Sequence, residues 1–134
     1  ESSHVIPALI RKVYEAQIAG DKQIQVWGDG SPSREFIYVD DAARGIAIAT
    51  TSYDREDPVN LGTNYEITIK DLITLICKLM DYKGELIWQT DKPNGQPRRC
   101  LDTQKAEAYF GFKANVNIEQ GLKNTIDWYR QNAA

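Results

Sequence analysis

The sequence has little cysteine and almost no histidine: Cys77, Cys100 and His4 are the full set. Two cysteines are too few for a disulfide-stapled scaffold, so we expect a reduced, cytoplasmic protein. A structural zinc site draws four ligands from such residues, so no metal site is expected. His4 is the one residue of the type most often used for proton transfer near neutral pH. A histidine near a chain end is also commonly an ordinary surface group, and both interpretations stay open here.

Long apolar runs and an excess of basic charge are also lacking. No segment approaches the roughly 20 apolar residues that cross a bilayer. The charges are 16 Lys and Arg against 19 Asp and Glu, a formal net charge of −3. A general nucleic-acid binder needs a basic field to attract phosphates. We therefore expect no membrane association and no nucleic-acid binding.

The length and hydrophobic content of the chain suffice for a folded core. The 134 residues are 42% hydrophobic and 26% charged, which suits one compact domain over residues 1–134. The chain begins with Glu rather than Met, so we expect a processed protein or a fragment of a longer one. Helical and strand patterns alternate without repeats, which predicts a mixed α/β fold. Helices are predicted at about 6–20, 40–50, 69–80, 103–110 and 118–131, and short strands at 24–27, 36–39, 59–61 and 85–88.

Two local motifs refine this pattern. Thr68 and Asp71 form a capping box before the third helix, and Asp40 and Asp41 are interpreted mainly as a cap of the second helix. The segment 28–30, Gly-Asp-Gly, carries the first two glycines of a dinucleotide loop. However, serine occupies the third glycine position, and a strand follows where that loop has a helix. We interpret the segment as a turn.

Cationic side chains cluster in the predicted loops of this acidic chain: Arg34, Lys92, Arg98 and Arg99. Arginine forks bind phosphate oxygens two at a time, so these loops are candidates for binding a diphosphate. Trp27 offers a flat face for a base or a sugar. The alternatives are that the cations are solvated or paired with surface carboxylates, and that Trp27 is a core residue.

Five stretches resemble, in order and spacing, the C-terminal part of the NAD-dependent epimerase/dehydratase family, which are extended short-chain dehydrogenases/reductases. Two of them are typical of most nucleotide-sugar epimerases and dehydratases: Arg-Glu-Phe through Val-Asp-Asp at 34–41, and Asn-Leu-Gly-Thr at 60–63. Two more stretches point to the GDP-L-fucose synthase branch: Ser-His-Val-Ile-Pro-Ala-Leu at 3–9, and Lys-Pro-Asn-Gly-Gln-Pro-Arg at 92–98. The fifth is Val-Trp-Gly-Asp-Gly-Ser-Pro at 26–32, which precedes the first motif.

The resemblance implies the substrate-binding part of such an enzyme, lacking most of the Rossmann domain. It implies an NADP-dependent parent, usually a homodimer. That parent epimerises GDP-4-keto-6-deoxy-mannose at the two carbons flanking its ketone and then reduces the ketone. The family's glycine-rich loop and Tyr-x-x-x-Lys pair are expected to be absent, so the isolated fragment is expected to be inactive.

Five positions match residues with functions in the family. His4 matches the histidine that takes part in catalysis and contacts the cofactor. Lys12 and Trp27 match substrate-contacting residues, and Arg34 matches the arginine that holds the diphosphate. Asn94 stands where the family commonly has Asp, which could accept two hydrogen bonds from guanine, whereas Asn offers one acceptor and one donor.

Two other functions stay open. The chain could come from a different nucleotide-sugar epimerase or dehydratase, with another base or sugar. It could also be a nucleotide-sugar-binding module without catalysis.

Overall fold

The computed structural model describes residues 4–133, and the chain divides into two compact units. The first unit takes the chain up to Pro32, Thr68–Pro97 and the chain from Leu122 onward. The second unit takes Ser33–Ile67 and Arg98–Gly121. The mixed α/β class is confirmed, and the single domain stays a prediction. The elements are α1 (Val5–Ala19), β1 (Gln23–Trp27), β2 (Ser33–Glu35), α2 (Val39–Ser52), β3 (Glu66–Thr68), α3 (Ile69–Met80), β4 (Glu85–Gln89), β5 (Arg98–Arg99), α4 (Gln104–Phe110) and α5 (Ile118–Asn132).

The first unit is built on a parallel pair of strands. β1 and β4 run in register from Gln23 opposite Glu85 to Trp27 opposite Gln89. Side chains of β1 alternate between buried and exposed, as expected when one face of a strand meets the core. Helices α1 and α3 pack against each other, and α1 also contacts β1. The buried apolar residues of these three elements are Leu9, Ile10, Val13, Ala16, Ile24, Val26, Leu72, Ile73, Ile76, Cys77 and Met80.

The predicted capping box fixes the start of α3. Thr68 Oγ1 accepts the backbone N–H of Asp71 at 3.0 Å, and the Thr68 hydroxyl donates to the Asp71 carboxylate at 2.8 Å. One otherwise unpaired N–H of the first turn is thereby satisfied. The predicted helix is confirmed over Ile69–Met80.

The second unit contains a small sheet in the order β3-β2-β5. β2 and β5 are parallel, with Arg34 opposite Arg99. Helices α2 and α4 pack together in this unit. Phe112 is 1% exposed, and a Cβ on Gly45 would lie 2.9 Å from its ring. Glycine at position 45 therefore lets the α2 backbone approach this buried ring closely.

Two predicted strands are wrong. The strand expected at 36–39 lies at Ser33–Glu35, and α2 begins at Val39, because carboxylates in a first turn favour helix over strand. Residues 59–61 form no strand; there the Asn60 side chain donates to the Asp102 carbonyl at 3.2 Å instead. β3 and β5, of three and two residues, are too short to show a strand pattern. Within residues 4–133, no helix has the length and apolar character of a membrane span.

Candidate functional site

The first unit presents a candidate site at the carboxyl ends of its parallel strands. Trp27 ends β1 and Gln89 ends β4, and these two residues lie opposite each other. The loops that follow, 28–32 and 90–97, therefore leave the sheet at the same edge. Ligands of parallel α/β sheets bind beyond the carboxyl ends of the strands. Four of the five predicted site positions, His4, Lys12, Trp27 and Asn94, belong to this unit, whereas Arg34 belongs to the second.

The loop after β1 is a turn that contains two left-handed glycines. Gly28 and Gly30 both have φ 78°, a conformation that favours glycine. The Gly28 N–H donates to the Gln89 carbonyl at 2.9 Å, and the Gly30 carbonyl accepts the Lys70 N–H at 3.0 Å. The interpretation of 28–30 as a turn is confirmed. Because strand β2 follows it, this segment does not form the phosphate-binding start of a helix that a dinucleotide needs.

Asn94 links the two loops of this edge. Its Oδ1 accepts the backbone N–H of Asp29 at 2.9 Å, across 65 positions of sequence. A Cβ on Gly28 would overlap that oxygen. Gly28 is therefore fixed both by its backbone angle and by the space that Asn94 occupies. The predicted contact between Asn94 and a substrate stays a prediction, and its carbonyl oxygen is already engaged within the protein.

Trp27 is 64% exposed, so the alternative that it is a core residue is wrong. Its position follows from the strand period, since Ile24 and Val26 point inward and the next residue must point outward. An exposed indole at the end of β1 can stack on a base or a sugar. Lys12 is also exposed, and its Nζ donates to the Gln25 carbonyl of β1 at 2.8 Å. Both substrate contacts stay predictions.

His4 is the N-cap residue of α1 and is exposed. Its carbonyl accepts the Ala8 N–H at 3.1 Å, and its side chain does not cap the helix. The catalytic and cofactor roles of His4 stay predictions. Ser3, which begins the motif at 3–9, lies outside the described residues.

Arg34 and Arg98 differ in their partners. Arg98 forms a bidentate ion pair with Glu66, with distances of 2.6 and 2.9 Å, so the paired-cation alternative holds for Arg98. Arg34 is half-buried, donates to the Ser33 carbonyl at 2.6 Å, and pairs with no carboxylate among residues 4–133. An arginine without a carboxylate keeps its donors available for a phosphate.

The Arg98 hydrogen bonds change the acidity of Glu66. Together with the Ser33 hydroxyl, which donates at 2.7 Å, they lower the pKa of Glu66 from 4.5 to about 2. Because Arg98 lies on β5 and Glu66 on β3, this ion pair links the two outer strands of the sheet.

Glu35 and Asp41 are anchoring carboxylates that the sequence pattern did not identify. Glu35 accepts the Thr63 N–H at 3.2 Å and the Cys100 thiol at 3.2 Å, and this contact raises the pKa of Cys100. Asp41 is 2% exposed. The interpretation of Asp41 mainly as a helix cap is corrected. Asp41 lies in the first turn of α2, but its carboxylate accepts the backbone N–H groups of Asn115 and Val116 and so joins α2 to the segment before α5.

One further expectation is wrong. A Tyr-x-x-x-Lys spacing does occur, from Tyr109 to Lys113. However, α4 ends at its C-cap Gly111, which is left-handed, so the two residues do not share a helix face. Lys113 pairs with Glu107 at 2.7 Å, and the Tyr109 ring lies under the Arg55 guanidinium at 4.0 Å. The spacing therefore does not form a catalytic pair here.

The second unit also holds an open cavity of about 410 Å³, lined by Phe36, Thr63, Tyr65 and residues 114–119. None of the five predicted site residues lines this cavity. Within residues 4–133, no cluster of His, Cys, Asp and Glu has the arrangement of a metal site.

Comparisons with known proteins agree with this fold. Residues 1–62 match the model of the NAD dependent epimerase/dehydratase family. The chain is 40% identical over 132 residues to GDP-L-fucose synthase 1 of Arabidopsis thaliana, covering 98% of the chain and 41% of the relative. It is 36% identical over 140 residues to GDP-L-fucose synthase of Escherichia coli, covering 98% and 43%. The chain thus spans about two fifths of the length of these relatives.

Solved structures extend the comparison. A GDP-L-fucose synthetase of Naegleria fowleri bound to NADP has a TM-score of 0.92 at 30% identity, over 99% of this chain and 42% of that one. UDP-glucose 4-epimerase of Thermotoga maritima, solved with UDP-glucose, has a TM-score of 0.84 at 26% identity, over 100% and 41%. The resemblance in the sequence is therefore confirmed: 98% of the chain is similar to GDP-L-fucose synthases, and residues 1–62 match the NAD dependent epimerase/dehydratase family model.

Proposed function

We propose that the protein functions as an NADP-dependent GDP-L-fucose synthase, to which this chain contributes sugar-nucleotide-binding residues. The reaction is epimerisation of GDP-4-keto-6-deoxy-mannose at two carbons, followed by reduction of its ketone. The observation that carries the proposal is the likeness of 98% of the chain to GDP-L-fucose synthases from a plant and a bacterium. The intact protein is proposed to be a cytoplasmic homodimer.

The described residues supply binding chemistry for such a substrate. The exposed indole of Trp27 provides a stacking face. Arg34 keeps its guanidinium donors free of carboxylates within residues 4–133, which suits a diphosphate. Lys12 adds an exposed cation on α1. Each side chain thus supplies a kind of contact that a sugar nucleotide requires, which is stacking for its base or cationic donors for its diphosphate.

His4 is proposed to move a proton during epimerisation. A ketone acidifies the C–H groups on both of its neighbouring carbons, so a positioned acid/base pair can remove a proton from one face and return a proton to the other, and His4 would supply one member of that pair. The exposed imidazole at the start of α1 is a group of the right type. NADP, when bound, supplies the hydride that reduces the ketone. Residues 4–133 do not fit its phosphates, because their glycine turn leads into strand β2.

An assay of the intact protein tests the proposal. With NADPH and GDP-4-keto-6-deoxy-mannose, we expect NADPH consumption and formation of GDP-L-fucose, identified by proton NMR. Reactions without the sugar nucleotide, or with a UDP-4-keto-sugar, are the controls. A protein that binds the nucleotide but consumes no NADPH would be a binding module, and the proposed activity would be wrong.

A second candidate is another nucleotide-sugar epimerase, which is supported by the TM-score of 0.84 to UDP-glucose 4-epimerase. Calorimetric titration of the intact protein with GDP-sugars and UDP-sugars separates the two functions. Tighter binding of the UDP-sugar would favour the second candidate.

A further inference from the structure

The turn after Trp27 exposes one carboxylate at the candidate site. Asp29 lies at the centre of this turn and is exposed. Its Oδ1 accepts the Ser31 N–H at 2.8 Å. Hydrogen bonds from Ser31 lower the pKa of Asp29 below its usual value, with a smaller contribution from Asn94. Asp29 is therefore an ionised acceptor whose direction is set by the turn.

Asn94 fixes the backbone at Asp29. The Asn94 Oδ1 accepts the Asp29 backbone N–H at 2.9 Å. An aspartate at position 94 would place a second negative charge against that of Asp29, which is unfavourable. An asparagine at position 94 therefore suits a neighbouring loop that already carries the carboxylate.

The chemistry of guanine matches such an acceptor. Guanine has two donors side by side, the ring N1–H and the exocyclic amine, and a carboxylate can accept both. Uracil has a single ring N–H flanked by two carbonyl oxygens, which a carboxylate repels. The indole of Trp27, two positions before Asp29, is 64% exposed and can stack on the same base.

We propose that Asp29 recognises the guanine base through its carboxylate, and that Asn94 is the positioning residue that orients Asp29. The family commonly has a carboxylate at position 94. In this chain Asp29, in the loop after the neighbouring strand β1, supplies that carboxylate instead. This inference rests on the proposed function and names the residue behind its base preference.

Calorimetric titration of the intact protein with GDP, IDP and UDP tests the assignment. IDP keeps the ring N–H of GDP but lacks the exocyclic amine, so the GDP/IDP affinity ratio reports the second hydrogen bond. The wild-type protein is expected to bind GDP about tenfold more tightly than IDP, the scale of one charge-assisted hydrogen bond. Asp29→Asn is expected to weaken GDP binding by about tenfold and to bring the ratio close to one.

Asp21→Asn is the matched control. Asp21 is exposed and precedes β1, so it lies at the opposite end of the strand from Asp29. Its substitution makes the same change of charge and is expected to leave the GDP/IDP ratio unchanged. Thermal unfolding of both variants checks that they fold, and Asp29→Glu, which keeps the charge but displaces it, provides a second variant with a reduced ratio.

The GDP/IDP affinity ratio of a second variant tests the positioning role of Asn94. Asn94→Ala is expected to reduce the GDP/IDP ratio about threefold, because Asp29 stays charged but is less well oriented. A merely structural role of Asn94 would weaken GDP, IDP and UDP equally and leave the ratio unchanged, which would overturn that part of the proposal.

Other outcomes distinguish this inference from the proposed function. If the wild-type protein prefers GDP to IDP and Asp29→Asn keeps that preference, guanine is recognised elsewhere and the assignment to Asp29 is wrong, while the proposed function stands. If the wild-type protein binds UDP more tightly than GDP, or binds neither, both proposals are wrong.

Discussion

The carboxylate of Asp41 accepts the backbone N–H of Val116 at 2.8 Å. The same oxygen accepts the Asn115 N–H at 2.8 Å, and the other oxygen accepts from Arg44 at 2.9 Å. Burial opposes ionisation of Asp41, but these hydrogen bonds outweigh it and lower its pKa. A buried carboxylate on α2 therefore fixes the segment that leads into α5.

Asp41→Ala is expected to lower the free energy of unfolding by about 2–4 kcal/mol, because two backbone N–H groups and Arg44 lose their acceptor. Asp40→Ala is the matched control, since Asp40 is the exposed neighbour in the same helical turn. It is expected to cost less than about 1 kcal/mol. Urea unfolding of the two variants checks this, and equal losses would show that Asp41 acts only through the helix terminus.

Local patterns predicted elements whose signals are local. The capping box at Thr68 and the helix stop at Gly111 both lie where the sequence places them. The exposure of Trp27 also follows from the period of β1, although the sequence alone left a core position open as the alternative. The link between Asp29 and Asn94 joins residues 65 positions apart, and no local pattern reports such a contact. The same holds for the bonds of Asp41 to the backbone of Asn115 and Val116, which lie on another segment.

The lowered pKa of Glu66 predicts that the stability of the folded protein depends on pH. Its pKa is about 2 in the folded protein, below its ordinary value of 4.5, so the folded state favours the ionised form. The resulting stabilisation is complete above pH 4.5 and is lost as the pH falls towards 2. Thermal unfolding should show wild type more stable than Glu66→Gln at pH 6, with the difference shrinking towards zero near pH 2.

Glu56→Gln is the control for that series, because Glu56 is exposed in the loop after α2 and has no arginine partner among the described residues. The difference in melting temperature between Glu56→Gln and wild type should change little with pH. A constant difference between wild type and Glu66→Gln over the whole range would contradict the assigned ion pair.

Arg34→Ala is expected to weaken binding of the GDP-sugar by roughly 1.5–3 kcal/mol, the range for a charge-assisted hydrogen bond. Arg55→Ala removes the same charge in the second unit, where Arg55 lies over the Tyr109 ring, and should leave affinity unchanged. Calorimetric titration of both variants of the intact protein measures the difference. Equal affinities would make Arg34 an ordinary surface cation.

His4→Gln in the intact protein is expected to abolish epimerisation while leaving substrate affinity within a few-fold. Glutamine keeps the hydrogen-bonding capacity of the side chain but cannot take up a proton near neutral pH. Epimerisation can be followed separately from reduction, because a proton removed beside the ketone exchanges with solvent. Deuterium incorporation from heavy water into the sugar, measured by NMR without NADPH, should therefore disappear in the variant. Incorporation at the wild-type rate would remove His4 from the proton-transfer step, and loss of binding in the same variant would instead make it a substrate-positioning residue.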